Sequence, residues 1–259
     1  MIDLHVHMLP GLDDGAAEDT EALAMARAAV ADGIRTAVVT PHWTPGLYPN
    51  DRETILAATQ RFRDLLARQG VSLSIVPGAE LHVHPCLTRR LKDRWLLTLN
   101  DTLRYALVEL PLTTLPVNVD LILYDLTASG ITPILAHPER CAALARHPER
   151  LARWVRSGVL VQITAGSLLG EFGPHVRRLA VRFLKRGLVH VMASDGHGPD
   201  RRPPRLSRAV QEAALIVGVD AARALVDEIP RRILAGETWE PKAVHVSKQR
   251  KPWWRKLWR

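Results

Sequence analysis

Ile2, Leu4 and Val6 alternate with Asp3, His5 and His7 at the start of the chain. That is the two-residue period of a strand, so both imidazoles leave one face and the apolar side chains leave the other. Residues 9–15, Leu-Pro-Gly-Leu-Asp-Asp-Gly, have the chemistry of a turn. A helix follows, with Ala22, Met25, Ala26, Ala29 and Val30 on one stripe and Gly33 as its stop. The pattern then repeats. Residues 34–40 are a short β-branched run ending at Pro41-His42, and a Gly/Pro loop leads to a second helix. Its opening, Asn50-Asp51-Arg52-Glu53, has the form of a capping box, and Phe62, Leu65 and Leu66 mark its core side.

Further short apolar runs fall at 73–76, 105–110, 132–136, 159–163 and 189–193. Helical patterns separate most of them, among them 138–157, with Leu144, Leu151, Trp154 and Val155 on its apolar side, and 174–187. Strands alternating with helices predict an α/β fold with a mainly parallel sheet and helices outside. Seven such units in about 200 residues fit a closed (β/α) barrel better than an open doubly wound sheet. No internal repeat or linker interrupts the chain before about residue 237, so residues 1–240 are expected to form a single domain and 241–259 a tail.

Composition narrows the choice. The chain has 259 residues, is 47% hydrophobic and has a mean hydropathy of −0.04, with no apolar run as long as a membrane span. Acids and histidines stand where a signal peptide would need a basic and then an apolar region, so a cytoplasmic location is expected. Cys86 and Cys141 form no framework and no metal knuckle, and six residues after them stand Lys92 and His147. The thiolate phosphatase loop, which needs an arginine there, is therefore absent. The +8 charge suggests nucleic acid until it is located. Lys242, Lys248, Arg250, Lys251, Arg255, Lys256 and Arg259 carry it in the tail with no acid among them, so the body is nearly neutral and no nucleic-acid partner is expected.

Residues that can ligate metal stand at strand ends. His5 and His7 end the first run, His42 follows the second, Glu80 the third, Glu109 ends the fourth, His137 follows the fifth, and Asp195 and His197 follow the seventh. In a parallel barrel the carboxyl ends of all strands meet at one rim, so these residues would converge. Each has an ordinary explanation on its own: a turn histidine, a satisfied carboxylate, an Asp-Gly turn. Their joint placement outweighs those readings. Glu109 is the most telling, because a carboxylate inside Ala-Leu-Val-Glu-Leu-Pro is costly to bury unpaired. His82 and His84 lie beyond Glu80 and before Pro85, and supporting or surface roles are expected for them. His147, His175, His190 and His245 have no such partners in the pattern.

Five histidines and three carboxylates exceed one structural zinc site and suit two or three ions. The mixed nitrogen and oxygen set without thiolate fits manganese, iron or zinc. Bound cations would turn an acidic rim into one that attracts anions. Arg140, in His137-Pro138-Glu139-Arg140, and the group Arg201, Arg202 and Arg205 would offer forked donors to phosphate oxygens.

The motifs, in order, are H-x-H with Leu9-Pro10-Gly11 and Asp13-Asp14-Gly15, Thr40-Pro41-His42, Gly78-Ala79-Glu80, Glu109-Leu110-Pro111, Ala136 to Arg140, Gln162 to Gly170, and Ser194 to His197. Over residues 1 to about 240 they resemble the PHP (polymerase and histidinol phosphatase) superfamily, specifically the manganese-dependent bacterial tyrosine-protein phosphatases of capsule and exopolysaccharide synthesis. The resemblance implies a distorted (β/α)7 barrel, with His5, His7, His42, Glu80, Glu109, His137, Asp195 and His197 around two or three Mn2+ ions. It implies that Arg140 and Arg202 bind the substrate phosphate, and that Asp14 belongs to an acidic loop at the site, where Asp14 or a site histidine is the candidate to assist the leaving group. The implied activity is hydrolysis of phosphotyrosine by metal-activated water, and the implied partner is a tyrosine kinase of polysaccharide synthesis. A PHP phosphoesterase acting on histidinol phosphate or a nucleotide is the rival enzyme. Another class of reading is a binding module whose tail, with Trp253, Trp254 and Trp258 among basic residues, meets an anionic membrane or an acidic partner. Trp43 departs from the family pattern, where a histidine or tyrosine is common, and so does the Arg/Trp-rich terminus.

Overall fold

Both opening periodicities are realised, as strand β1 (Ile2–Val6) and helix α1 (Asp19–Ala31). The computed structural model describes residues 1–238, so the tail and its expected contacts, with His245, lie outside the described residues. The seven predicted strands are present, and two of them break and continue. The second is β2 (Thr36–Val39) and, across Thr40-Pro41, β3 (His42–Thr44), which pairs with the short antiparallel β4 (Tyr48–Pro49). The third is β5 (Ser74–Pro77) and, across Gly78-Ala79, β6 (Glu80–His82). Then come β7 (Tyr105–Glu109), β8 (Thr132–Ala136), β9 (Leu160–Thr164) and β10 (Val191–Ala193).

The breaks divide the barrel. One sheet runs β1-β2-β5 and the other β10-β9-β8-β7-β6-β3-β4, with every pair except β3/β4 parallel. Pro41 has no N–H to donate to a ladder. At Gly78 a side chain would meet Val38 Cγ1 at 2.8 Å, so only glycine lets the strands come this close. The seam between β1 and β10 is stitched rather than zipped. Val6 bridges Gly196, Asp195 N donates to His5 O at 2.9 Å, and His7 N donates to Gly196 O at 2.9 Å. The regular ladders do not close, and the barrel is distorted at these places.

Between the strands lie α2 (Arg52–Arg68), α3 (Leu87–Lys92), α4 (Val119–Ala128), α5 (Ala142–Arg146), α6 (Pro148–Arg156), α7 (Ala165–Leu169) and α8 (Pro174–Lys185). After β10 follow α9 (Ser207–Val217), α10 (Val219–Ala224) and α11 (Glu228–Leu234). Leu4, Val6, Val38, Leu107, Ile134, Val161 and Met192 are buried in the core between strands and helices. The segment before α11 reaches back, with Ile2 N donating to Val226 O at 2.7 Å and Met192 N to Leu225 O at 3.1 Å.

Two local expectations are revised. The single helix over 138–157 is a short 3-10 turn at Pro138–Arg140 followed by α5 and α6. His147 precedes a proline and leaves the helical region (φ −128°, ψ 61°), which breaks the run. The capping box at 50–53 is not formed as such. Asp51 caps α2 by accepting from Thr54 N at 2.9 Å, and Asn50 Nδ2 instead donates to Leu12 O at 2.8 Å and His42 O at 2.9 Å. Asn50 thereby ties the acidic loop to the strand that carries His42.

Candidate metal centre

The carboxyl ends of the strands bring all eight predicted ligands together. With Asp14 they fall into four overlapping groups: His7, Asp14, His42 and His197; His5, His7 and Glu80; His5, His137 and Asp195; and His42, Glu80 and Glu109. Within each group the donor atoms lie within 4.8 Å of one another. Glu80 is the hub. Its Oε2 lies 3.1 Å from His5 Nε2, 3.3 Å from His7 Nε2 and 3.1 Å from His42 Nδ1, while Oε1 meets His137 Nε2 at 2.9 Å. Glu109, on the next strand, stands 3.8 Å from His42 Nδ1 and 3.9 Å from His137 Nε2.

Hydrogen bonds behind the ligand atoms set the imidazole orientations. His7 Nδ1 meets Asp13 Oδ2 at 2.6 Å, and Asp13 also accepts from His42 N at 2.9 Å and Gly15 N at 3.0 Å. His5 Nδ1 meets Gln162 Oε1 at 3.0 Å, and the same oxygen accepts from the backbone N–H of His137 at 3.3 Å, which fixes the amide's orientation. Each Nδ1 therefore carries a ring proton, and each Nε2, once its own proton is displaced, presents a lone pair inward. Those two Nε2 atoms are only 3.0 Å apart. Two lone pairs in one space cannot bond to each other, but both can bond a cation. Among the described residues, His42 Nδ1 and Glu80 Oε2 are also buried without a hydrogen-bond partner. The donor set thus fits bound divalent metal, with imidazole and carboxylate as its ligand chemistry.

The electrostatics carry the same message. Burial opposes protonation of His7, yet Asp13 and Glu80 outweigh it and hold its pKa well above the ordinary value. His5 is raised against burial by Glu80 and Asp195, and His42 against burial by Asp14 and Glu80. Burial opposes ionisation of Glu80 too, but His5 and the bonds from His137 keep it well below the carboxylate range. Negative charge is in surplus around the imidazoles, and a cation would neutralise it. Backbone geometry is equally unusual. His137 (φ 32°) and Asp195 (φ 52°) are non-glycine residues in the left-handed region, the kind of local strain that clusters at functional sites.

At the mouth, Asp195 divides its oxygens. Oδ1 faces His5 Nε2 at 3.5 Å and His7 Nε2 at 3.7 Å, and Oδ2 is held by Arg140 Nη1 at 2.6 Å and Arg202 Nη2 at 2.5 Å. Both guanidiniums lie over Phe172, at 4.6 Å and 5.4 Å from its ring centre. Of the basic group expected to meet phosphate, only Arg202 reaches Asp195, whereas Arg201 and Arg205 are exposed. Asp14 Oδ1 spans His42 Nε2 and His197 Nε2 at 3.4 Å each.

Sequence reasoning missed three residues here: Asp13, Gln162 and Phe172. Asp13 and Gln162 stand inside motifs read for their neighbours, and Phe172 carries no chemical signal of its own. His82 Nδ1 stands 3.8 Å from Glu109 Oε2, and His84 sits against Cys86 Sγ at 2.9 Å. His190 is buried away from the centre, where its Nδ1 accepts from Val161 N at 3.0 Å. Trp43 is buried with Trp95 and Arg90 around it.

The fold and the site define the class: an α/β protein whose strand ends gather a histidine and carboxylate cluster that fits divalent metal. The chain belongs to the capsular polysaccharide synthesis family CpsB/CapC, whose family model matches residues 1–235. It is 38% identical over 202 residues to the tyrosine-protein phosphatase YwqE of Bacillus subtilis, covering 78% of this chain and 79% of that one. It is 32% identical over 239 residues to the tyrosine-protein phosphatase CpsB of Streptococcus pneumoniae, covering 90% and 98%. A chain from the crystal structures of YwqE and CpsB, described as metal-dependent tyrosine phosphatases, superposes with a TM-score of 0.88 at 34% identity, covering 94% and 99%. The lactonase Lmo2620 of Listeria monocytogenes shares the fold alone, with a TM-score of 0.58 at 12% identity.

Proposed function

We propose that this chain is a metal-dependent protein-tyrosine phosphatase, that Mn2+ is its native metal at two or three ions per chain, and that its substrate is a tyrosine kinase controlling capsule or exopolysaccharide synthesis in the cytoplasm. The observation that carries the reading is Asp195. One of its oxygens faces the ligand histidines and the other holds two arginines, so an anion entering there meets cations and forked donors together. The family membership and the named relatives support the choice of phosphotyrosine.

His5, His7, His42, Glu80, Glu109, His137, Asp195 and His197 hold the metals in this reading. Bound divalent ions supply a water of lowered pKa and neutralise charge on the phosphate oxygens. Arg140 and Arg202 orient the phosphoryl group by forked hydrogen bonds and meet charge that builds on its equatorial oxygens. Phe172 lies beneath both guanidiniums and supports them. Asp13 and Gln162 keep two histidines in the ligating tautomer. His197 and His42 hold the Asp14 carboxyl far below the usual carboxylate range, and it stands at the mouth as an acceptor. A tyrosyl leaving group, with a pKa of about 10, makes a smaller demand on an acid than an alkyl alcohol does.

The test is metal-stripped protein restored with Mn2+, Fe2+ or Zn2+ singly and assayed on a phosphotyrosine peptide, histidinol phosphate and single-stranded DNA. Turnover of the peptide alone, restored best by Mn2+ and abolished in His7→Ala and Asp195→Ala, is expected. Preference for histidinol phosphate or DNA, or full activity of either purified variant, would overturn the reading.

A further inference from the structure

Positive charge on this face continues past Arg202. A cavity of about 360 Å3 lies where the end of α1, the turn after α7 and the start of α9 come together. It shares a wall with the metal centre. Thr164 and Ser194 line it; Ser194 precedes Asp195 in sequence, and Thr164 Oγ1 lies 3.5 Å from Asp195 Oδ2. Arg202 lines it as well and so stands between the two compartments.

Two of its cations are unpaired. Arg205 and Arg208 line the cavity, are exposed, and form no ion pair among the described residues. Of the two acids in its wall, Asp32 is already committed. Its Oδ2 accepts from Leu206 N at 2.6 Å and Ser207 N at 2.9 Å, and its Oδ1 from Ser207 Oγ at 2.5 Å. Glu171 stands exposed on the opposite rim. Arg202 is paired with Asp195, and Asp32 keeps its charge while its oxygens are taken, so Arg205, Arg208 and Glu171 are the charged groups of this wall without an ion pair among the described residues. Phe172 and Leu169 give the same cavity an apolar side. A volume of this size takes one side chain rather than a stretch of backbone. The combination suits a stem of carbon ending in an oxyanion.

We infer that this cavity is a second anion subsite on the substrate face, which takes an anionic side chain of the same polypeptide close to the phosphotyrosine being hydrolysed. The inference rests on the phosphotyrosine reading of the metal centre. The shared Arg202 favours a group on the substrate over a free ion, because a residue near the reacting tyrosine in an extended chain need travel only a few residues' length of about 3.3–3.6 Å each.

The test uses metal-loaded protein and three peptides that differ only beside the phosphotyrosine: a neutral glutamine version, a glutamate version and a version with a second phosphotyrosine. An anionic neighbour should raise kcat/KM about fivefold, through KM, as expected for one partly exposed charge pair. Arg208→Gln should erase that preference and Arg208→Glu should invert it, with the neutral peptide and p-nitrophenyl phosphate turned over equally by all three proteins. A gain from glutamate as large as that from phosphotyrosine assigns the subsite to any oxyanion, and a larger gain from phosphotyrosine assigns it to phosphoryl groups. Calorimetry with non-hydrolysable difluorophosphonate versions should show the same order of affinities. Equal kcat/KM for the three peptides in the parent protein, or a preference that survives both Arg208 variants, overturns the subsite. If no peptide is hydrolysed, the phosphatase reading fails, and the calorimetric comparison of parent with Arg208→Gln still decides the subsite.

Discussion

Asp13 Oδ2 lies 2.6 Å from His7 Nδ1, and this contact turns His7 Nε2 toward Glu80 and His5 Nε2. The carboxylate fixes the tautomer from behind and raises the basicity of the nitrogen in front. Asp13→Asn keeps the shape and removes the charge. It should lower metal affinity and turnover about 10- to 100-fold, with far-ultraviolet circular dichroism unchanged. Metal titration by calorimetry checks this, and parental affinity in the variant would show that Asp13 is not the residue orienting His7.

Gly15 is required by close approach. A β-carbon there would meet His7 Cβ at 2.6 Å and the His7 carbonyl carbon at 2.9 Å. Gly15→Ala must push the acidic loop off the strand, at a cost of about 1–3 kcal/mol, and should loosen the Asp13 contact with it. Thermal unfolding with and without metal measures both. A variant as stable as the parent that also keeps its metal affinity would refute the account.

Arg140 binds Asp195 through Nη1 from a tight turn directly after His137. Arg140→Lys keeps the charge but loses the planar fork, and Arg140→Ala loses both. Alanine should lower kcat/KM on phosphotyrosine about 100- to 1000-fold, and lysine should recover only a small part of it. Metal content should change little in either. Steady-state kinetics together with metal analysis separates this role from one in holding the ions.

His190 is buried, and burial pushes its pKa down to about 4 from 6.5. The unfolded chain therefore binds a proton that the native state refuses. The contribution of this residue to stability is full above pH 6.5 and is lost as pH falls from 6.5 toward 4. His190→Gln should remove this dependence, which amounts to roughly 3 kcal/mol over that window. Urea unfolding at several pH values compares the two slopes, and parallel slopes would contradict the assignment.

The sequence by itself determined the strands and the rim. Period-two runs, helical stripes and turn residues are local, so β1, α1, α2 and the later strands were legible from neighbours within a few positions. Parallel alternation then placed His5, Glu80, Glu109, His137 and Asp195 at one end, because βα units share a direction. Even the weak H-x-H at the start became readable once the other strand ends carried ligand types too.

Tertiary structure decided the rest, for a physical reason that runs through each case. Where β2 and β5 break and hand over to β3 and β6 depends on how closely Gly78 meets Val38, a contact across strands. Asp13 and Asp14 are adjacent and chemically alike. Only the path of the loop over His7 makes one the buried partner of an imidazole and leaves the other at the mouth. Phe172 acquires its place beneath two arginines from a turn after α7, and Arg205 and Arg208 acquire theirs where Asp32, at the end of α1, holds Leu206 and Ser207 at the start of α9. Local pattern records what a residue prefers next to its neighbours in the chain. Partners from distant segments are set by packing, and packing decided which of these side chains carry the site.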